Sequence, residues 1–326
     1  MSEHNLPVAI RPLRPADLVL LASLWATGRP LFGPSYRNEA RTWERLGLKE
    51  GGLRLLGSTL KQWLPLAERR HAWIAVRGLR ACGLASVRRR CSPSAWELEY
   101  LIVSRGDESA GLAFLQQLIQ ELGRASVEKL FLRVKADSPL LGTVREAGFF
   151  PYLKEHLMAI DRVPQGLEPG KVSLRQRTSA DALPLFQLYN AAVPAAVRRN
   201  EAATLREWVD TQENGHCQQL VAMGKEGPAA WLRISKSRRA GRFSLLTQRR
   251  VDVPLDYLLA AALDYLAGRR PILCLVAEYQ KPVARRLEEL GFRAAGEYVV
   301  LVNRLARPVE EAVPVAEGVS QPYPVS

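Results

Sequence analysis

Apolar and polar residues follow two rhythms along this chain, a period of two over short stretches and a period of three to four over longer ones. The alternating stretches predict strands at Val8–Leu13, His71–Val76, Ala81–Arg89, Ala95–Val103 and Lys129–Lys135. The helical spacing predicts helices over Ala16–Ala26, Asn38–Leu48, Leu53–Glu68, Asp107–Leu122 and Pro139–Ala147, with a break at Gly51-Gly52. Arg77-Gly78 and Ser92-Pro93 suit hairpin turns between the central strands. Phe149–Ile160 is most simply a closing pair of strands.

The same succession then begins again with a shorter front. Strands are predicted at Val172–Arg177, Gln218–Met223, Ala229–Ser235, Arg242–Gln248 and Ile272–Ala277, and closing strands over Ala295–Val302. Helices are predicted over Ala180–Ala191, Glu201–Thr211, Leu255–Leu266 and Pro282–Leu290. Two landmarks recur in order. Val8-Ala9-Ile10-Arg11 through Ala16-Asp17 is echoed by Val172-Ser173-Leu174-Arg175 through Ala180-Asp181, and Ser138-Pro139 through Gly148-Phe149 by Lys281-Pro282 through Gly291-Phe292. Matched landmarks imply two copies of one fold. A length of 326 residues accommodates two domains of roughly 150 residues. The division read from the pattern is residues 1–162, a Pro- and Gly-bearing linker 163–170, residues 171–305 and an aperiodic, disordered tail 306–326.

Composition narrows the chemistry. No apolar run approaches the roughly 20 residues of a membrane span, and the N-terminus carries no export signal, so the chain reads as soluble and cytoplasmic, with no membrane partner. Cys82, Cys91, Cys217 and Cys274 are scattered, and His4, His71, His156 and His216 are isolated, so no metal site is expected. The net charge of +13 is carried largely by arginine and leaves two readings: affinity for an acidic partner, or a generally basic surface. Arg88-Arg89-Arg90 and Arg238-Arg239 cluster at strand ends without interleaved aromatic residues, so nucleic-acid binding is disfavoured though not excluded.

The order of strand, helices, three antiparallel strands, helix, strand, helix and closing strands after a Gly-Phe turn resembles the GNAT acyltransferase family in both copies, over residues 6–162 and 170–305. The resemblance implies an α/β fold of two GNAT-like domains, each a mixed, mainly antiparallel sheet flanked by helices. It implies acetyl-CoA as cosubstrate and a small-molecule or peptide amine as acceptor. The family holds the cofactor's pyrophosphate on a loop of the form Arg/Gln-x-x-Gly-x-Gly/Ala, where a helix N-terminus offers unpaired N–H groups. The first copy offers Glu108-Ser109-Ala110-Gly111-Leu112-Ala113, with a carboxylate where the family has a base or an amide and with Arg105 nearby. Its bland alternative is an ordinary helix start. The second copy offers Gln248-Arg249-Arg250-Val251-Asp252-Val253-Pro254, which contains no glycine, and is read as unable to bind CoA in the usual way.

The resemblance places a general base at Glu97 or Glu99, two residues apart on one strand face. An outward-facing charge pair is the alternative. It also implies that Leu101, Ile102 and Val103 pair with the pantetheine arm as an added strand. The family's acid tyrosine is replaced by Val144 and Leu287, its frequent asparagine by Asp137 and Gln280; Tyr100 and Tyr152 are possible substitutes. Tyr36, Trp43 and Trp63 on the front helices either wall the acceptor cleft or belong to the core. The sequence therefore supports an N-acyltransferase working through its first copy, with a non-catalytic binding or scaffold protein as the rival.

Overall fold

In the computed structural model the alternating stretches of both copies join one continuous sheet. The structure describes residues 8–17, 19–20, 28–30, 70–90, 93–104, 108–138, 140–162, 174–212, 217–236, 240–248 and 253–305. The strands of the first copy are β1 (Ala9–Pro12), β2 (Gly28–Pro30), β3 (Arg70–Arg77), β4 (Arg80–Arg89), β5 (Ala95–Ser104), β6 (Lys129–Lys135) and β7 (Phe150–Ile160). Those of the second are β8 (Leu174–Gln176), β9 (Gln218–Gly224), β10 (Gly227–Lys236), β11 (Gly241–Thr247), β12 (Ile272–Ala277) and β13 (Arg293–Arg304). The helices are α1 (Glu108–Arg124) and α2 (Leu141–Glu146), then α3 (Ala182–Ala192), α4 (Ala195–Glu201), α5 (Leu205–Thr211), α6 (Leu255–Tyr265) and α7 (Lys281–Glu289).

Across the sheet the order is β1-β3-β4-β5-β6-β13-β7-β12-β11-β10-β9-β8, with β2 added against β5. The last strand of each copy lies in the other copy's half. β13 pairs antiparallel with β6, β7 pairs antiparallel with β12, and β13 and β7 pair with each other over most of their length. The expected closing pairs of strands are each a single long strand. No turn-forming dipeptide interrupts Phe150–Ile160, so it cannot fold back. Gly296 sits inside β13, where the register shifts by one residue at Ala295 and the strand continues.

Both sequence landmarks become the same structure twice. Arg11 donates to both carboxylate oxygens of Asp17 at 2.6 Å, and Arg175 does the same to Asp181 at 2.7 and 2.5 Å. Each aspartate also accepts a backbone N–H from the turn it closes, from Arg14 and from Thr178, both at 2.7 Å. The arginine hydrogen bonds hold both aspartates below the ordinary carboxylate pKa. The second landmark ends α2 and α7 on Gly148 and Gly291 at φ +87° and +88°. Phe149 and Phe292 then donate back to the carbonyls of Val144 and Leu287 at 3.0 and 2.9 Å, a helix stop that requires the left-handed glycine.

Apolar faces sort into separate cores. Phe114, Leu115 and Leu118 of α1 pack on the first half-sheet, and Leu258, Leu259 and Leu263 of α6 on the second. A third core gathers Leu188 and Tyr189 of α3, Trp208 of α5 and Trp231 of β10 on the opposite face, together with Leu153 of β7 and Val300 of β13. The predicted helix 201–211 begins only at Leu205, and Glu201 instead ends a separate helix, α4, that the sequence pattern did not predict. Thr204 accepts Glu207 N–H at 3.2 Å and starts a new helix after α4 ends at Glu201. The predicted helices 38–48 and 53–68, most of 16–26, the linker 163–170 and the tail 306–326 lie outside the described residues. No described helix is long and apolar enough to cross a membrane.

Candidate active site

The parallel strands β5 and β6 pair only at Ala95↔Lys129, Trp96↔Leu130 and Glu97↔Phe131. β5 runs on to Ser104 while β6 turns to β13, and a cleft opens between them. On its other edge β5 pairs with β4, where Ser86 faces Tyr100 and Val87 faces Leu98, so Glu99 is an extra, unopposed residue. Such a bulge twists the strand and turns a backbone N–H out of the ladder. Beyond the cleft α1 begins at Glu108; Gly111 is buried in its first turn, Leu112 is half-buried and Ala113 is exposed. The side chains of Ile102, Glu108, Ser109 and Ala110 lie outside the described ones.

The edge of β5 expected to receive an added strand does receive one, from the chain itself. Gly28, Arg29 and Pro30 of β2 run antiparallel to Ser104, Val103 and Ile102. The backbone of these β5 residues is thereby engaged on both sides, by β4 and by β2.

Glu97 and Glu99 are both buried, at 2% and 3% exposure. They face arginines across the tight β4–β5 hairpin. Arg88 donates to Glu97 at 3.2 Å and lies 3.4 Å from Glu99, and Arg90 lies 3.7 Å from Glu97. Arg90 also stacks its guanidinium 3.8 Å above the centre of the Phe131 ring. The charges continue toward the second half. Arg133 donates to Glu155 at 2.6 Å, and although burial opposes its charge, Glu155 holds its proton more tightly than usual. Tyr152, the extra residue of a second bulge on β7, donates to Glu201 at 3.2 Å and so faces α4 of the second copy. Burial raises the pKa of Glu201, partly offset by Arg90.

In the second half β11 and β12 also pair over three residues, Gly241↔Ile272 to Phe243↔Cys274, and then diverge. Here β10 and β11 match residue for residue, without a bulge. Gln280 bridges the opening: its Nε2 donates to the Leu245 carbonyl at 2.6 Å, while its Oε1 accepts from Ala277 N–H at 3.2 Å. The loop residues 249–252 lie outside the described ones.

No protein-family model matches the sequence, and no curated protein does. Solved structures match its fold. A GCN5-related N-acetyltransferase from Sphaerobacter thermophilus superposes with a TM-score of 0.56 at 18% identity, covering 93% of this chain and 98% of its own. A tandem GNAT protein from the clavulanic acid biosynthesis pathway gives 0.55 at 16% identity, covering 93% and 100%. A putative acetyltransferase from Pyrococcus horikoshii gives 0.53 at 12% identity, covering 93% and 92%. The chain has the tandem GNAT fold.

Val144 and Leu287, at the positions where the resemblance led to the expectation of a tyrosine, are fully buried in the two helix-side cores. The arginine partners of Glu97 and Glu99 were not singled out from the sequence. The signal was present, since Arg-x-Arg and Glu-x-Glu flank a short turn with matching period. β2 had no signal: Gly28-Arg29-Pro30 has neither alternation nor length. Arg105, Tyr36, Trp43, Trp63 and Arg238-Arg239 lie outside the described residues, and the side chain of Tyr100 outside the described side chains. Among the described residues no three His, Cys, Asp or Glu side chains gather as a metal site.

Proposed function

We propose that the protein is an N-acyltransferase that moves an acetyl group from acetyl-CoA to an amine of a small molecule or peptide, using the cleft of its first GNAT copy. The observation that carries this reading is the bulge at Glu99 inside the β5–β6 cleft, which the second copy lacks. In this reading the pyrophosphate lies at the start of α1, along Glu108, Ser109, Ala110, Gly111, Leu112 and Ala113, where free N–H groups face an anion. The pantetheine arm takes the β5 edge at Leu101, Ile102 and Val103 in place of β2. The amine nitrogen attacks the thioester carbonyl carbon, its proton passes to Glu97 or Glu99, and the C–S bond breaks to release CoA thiolate. Glu99 is the better placed base, lying two residues beyond the last β5–β6 pair. The titration of acetyl-CoA into the full chain by calorimetry tests the site, with the exposed Ala113→Glu as the loop variant. Binding in the wild type that weakens in Ala113→Glu supports it; no heat at millimolar cofactor sinks it. An amine-library assay with Glu97→Gln and Glu99→Gln tests the base, and undiminished turnover in both variants rejects it.

A second reading, a non-catalytic scaffold or binding protein, is favoured by one observation: the β5 edge is occupied by the chain's own β2. The two readings part on whether acetyl-CoA displaces that strand.

A further inference from the structure

A cavity of about 220 Å³ lies where β11 and β12 diverge, lined by Leu245, Ala277 and Gln280 of the second copy and by Tyr152 and Glu155 of β7. By liquid volume it has room for roughly seven waters, enough for one ring with a short side arm. Its walls are aromatic, with Tyr189, Trp208 and Trp231 in a continuous series whose ring centres are 6.2 and 5.6 Å apart.

One donor in this wall has no acceptor. Trp231 is 4% exposed, it lines the cavity, and its indole Nε1 makes no hydrogen bond. A buried N–H left unmade costs about 1–3 kcal/mol, so its retention points to an acceptor that arrives from outside the chain. The charge around it has the matching sign. The guanidinium carbon of Arg233 lies 5.2 Å from the Trp231 ring centre and that of Arg177 lies 5.5 Å away. Burial and then the nearby Arg233 lower the pKa of Arg177, the mark of two cations held close together. An anion beside Trp231 relieves that repulsion and satisfies the indole.

The rest of the lining sets the size of that charge. Glu155 and Glu201 also line the cavity. Arg133 neutralises Glu155, and the hydroxyls of Tyr152 and Tyr189 donate to Glu201 at 3.2 and 3.3 Å. Arg90, Arg133 and Arg233 stand in the lining against Glu155 and Glu201, an excess of one positive charge that suits a single negative charge. We propose that the cavity is a second ligand site for a small monocarboxylic acid with an aromatic or apolar body, whose carboxylate accepts from Trp231 Nε1 beside Arg233.

The test is calorimetry on the full chain without any acyl-CoA, so its result stands whether or not the transferase reading does. Phenylacetate is the probe, with phenylacetamide, phenethylamine and inorganic phosphate as controls. Phenylacetate is expected to bind once per chain with a Kd of ~1 mM or tighter. The amide, the amine and phosphate are expected to bind at least about tenfold more weakly, and Trp231→Phe to weaken phenylacetate by about tenfold. Ser244→Leu, which fills the cavity from β11 and leaves the Trp231 indole in place, is expected to abolish binding and keeps the test open if Trp231→Phe fails to fold. The proposal is overturned if phenylacetate gives no heat at several times that concentration, or if the amine or phosphate binds as well as the acid. It is also overturned if Trp231→Phe folds and binds unchanged, if Ser244→Leu binds unchanged, or if acetyl-CoA competes with the acid.

Discussion

The two halves of this molecule place the same diverging pair of strands in opposite use. In the first, β5 and β6 separate after Glu97↔Phe131, Glu99 forms a bulge against β4, and β2 lies along the free edge. In the second, β11 and β12 separate after Phe243↔Cys274 on an unbulged strand, and the side chain of Gln280 bridges the gap. A backbone strand can leave an edge and be replaced by an extended ligand; a side-chain bridge anchored at both ends makes the cleft part of the wall. What remains of the second opening is an aromatic cavity, lined by Leu245 and Gln280 together with Tyr189 of α3 and Trp208 of α5. Duplication of the fold has therefore not duplicated the geometry of the opening.

The largest effect expected from breaking the comparison comes from cutting the chain between its copies. Each half would lose its outermost partner strand, because β13 completes the first half-sheet and β7 the second. Residues 1–162 and 163–326 expressed alone are expected to lack a cooperative unfolding transition by circular dichroism, and to copurify and regain one when co-expressed. A half that melts cooperatively by itself would show that the exchanged strands are dispensable.

Next in size is a matched pair of core substitutions, one that empties a site and one that overfills its counterpart. Leu287→Ala removes a fully buried side chain of α7 and is expected to destabilise by about 2–5 kcal/mol in urea unfolding. Val144→Tyr, which restores the family residue in the first half, overpacks an equally buried site and is expected to cost about 1–3 kcal/mol without adding activity.

A smaller effect separates the clefts. Proline at both Gly28 and Arg29 strips N–H donors from β2 and is expected to tighten acetyl-CoA binding by about fivefold, the worth of one hydrogen bond. Unchanged affinity would mean that β2 does not compete for the edge. Gln280→Ala, which opens the second cleft, is expected to cost about 1 kcal/mol of stability and to add no second acetyl-CoA site in the same titration.

The least dramatic expectation concerns acid. Asp17 and Asp181 have pKa values lowered in the folded state, so the stability they contribute is present in full above the ordinary carboxylate value of 3.8. It is lost as the pH falls through their lowered values. Asp17→Asn and Asp181→Asn should each flatten the fall in Tm with acidification, and by similar amounts if the two turns are equivalent.

The sequence alone settled the repetition and its local devices. The Arg-to-Asp turns, the glycine helix stops, the strand order within each copy and the tandem GNAT fold follow from residues close together in the chain, where period, capping and glycine conformation act. It also brought Glu97, Glu99 and Gly111 to one end of one strand–helix unit. Only the tertiary structure decided which copy's closing strand completes which half, because the residues of Phe150–Ile160 and Arg293–Arg304 form strands locally but carry no local signal that names a partner strand. It alone placed Gly28–Pro30 on the edge of β5, since a three-residue strand carries no period. It alone left Trp231 Nε1 without a partner, because whether a buried donor is satisfied depends on α5 and β10 meeting across the chain.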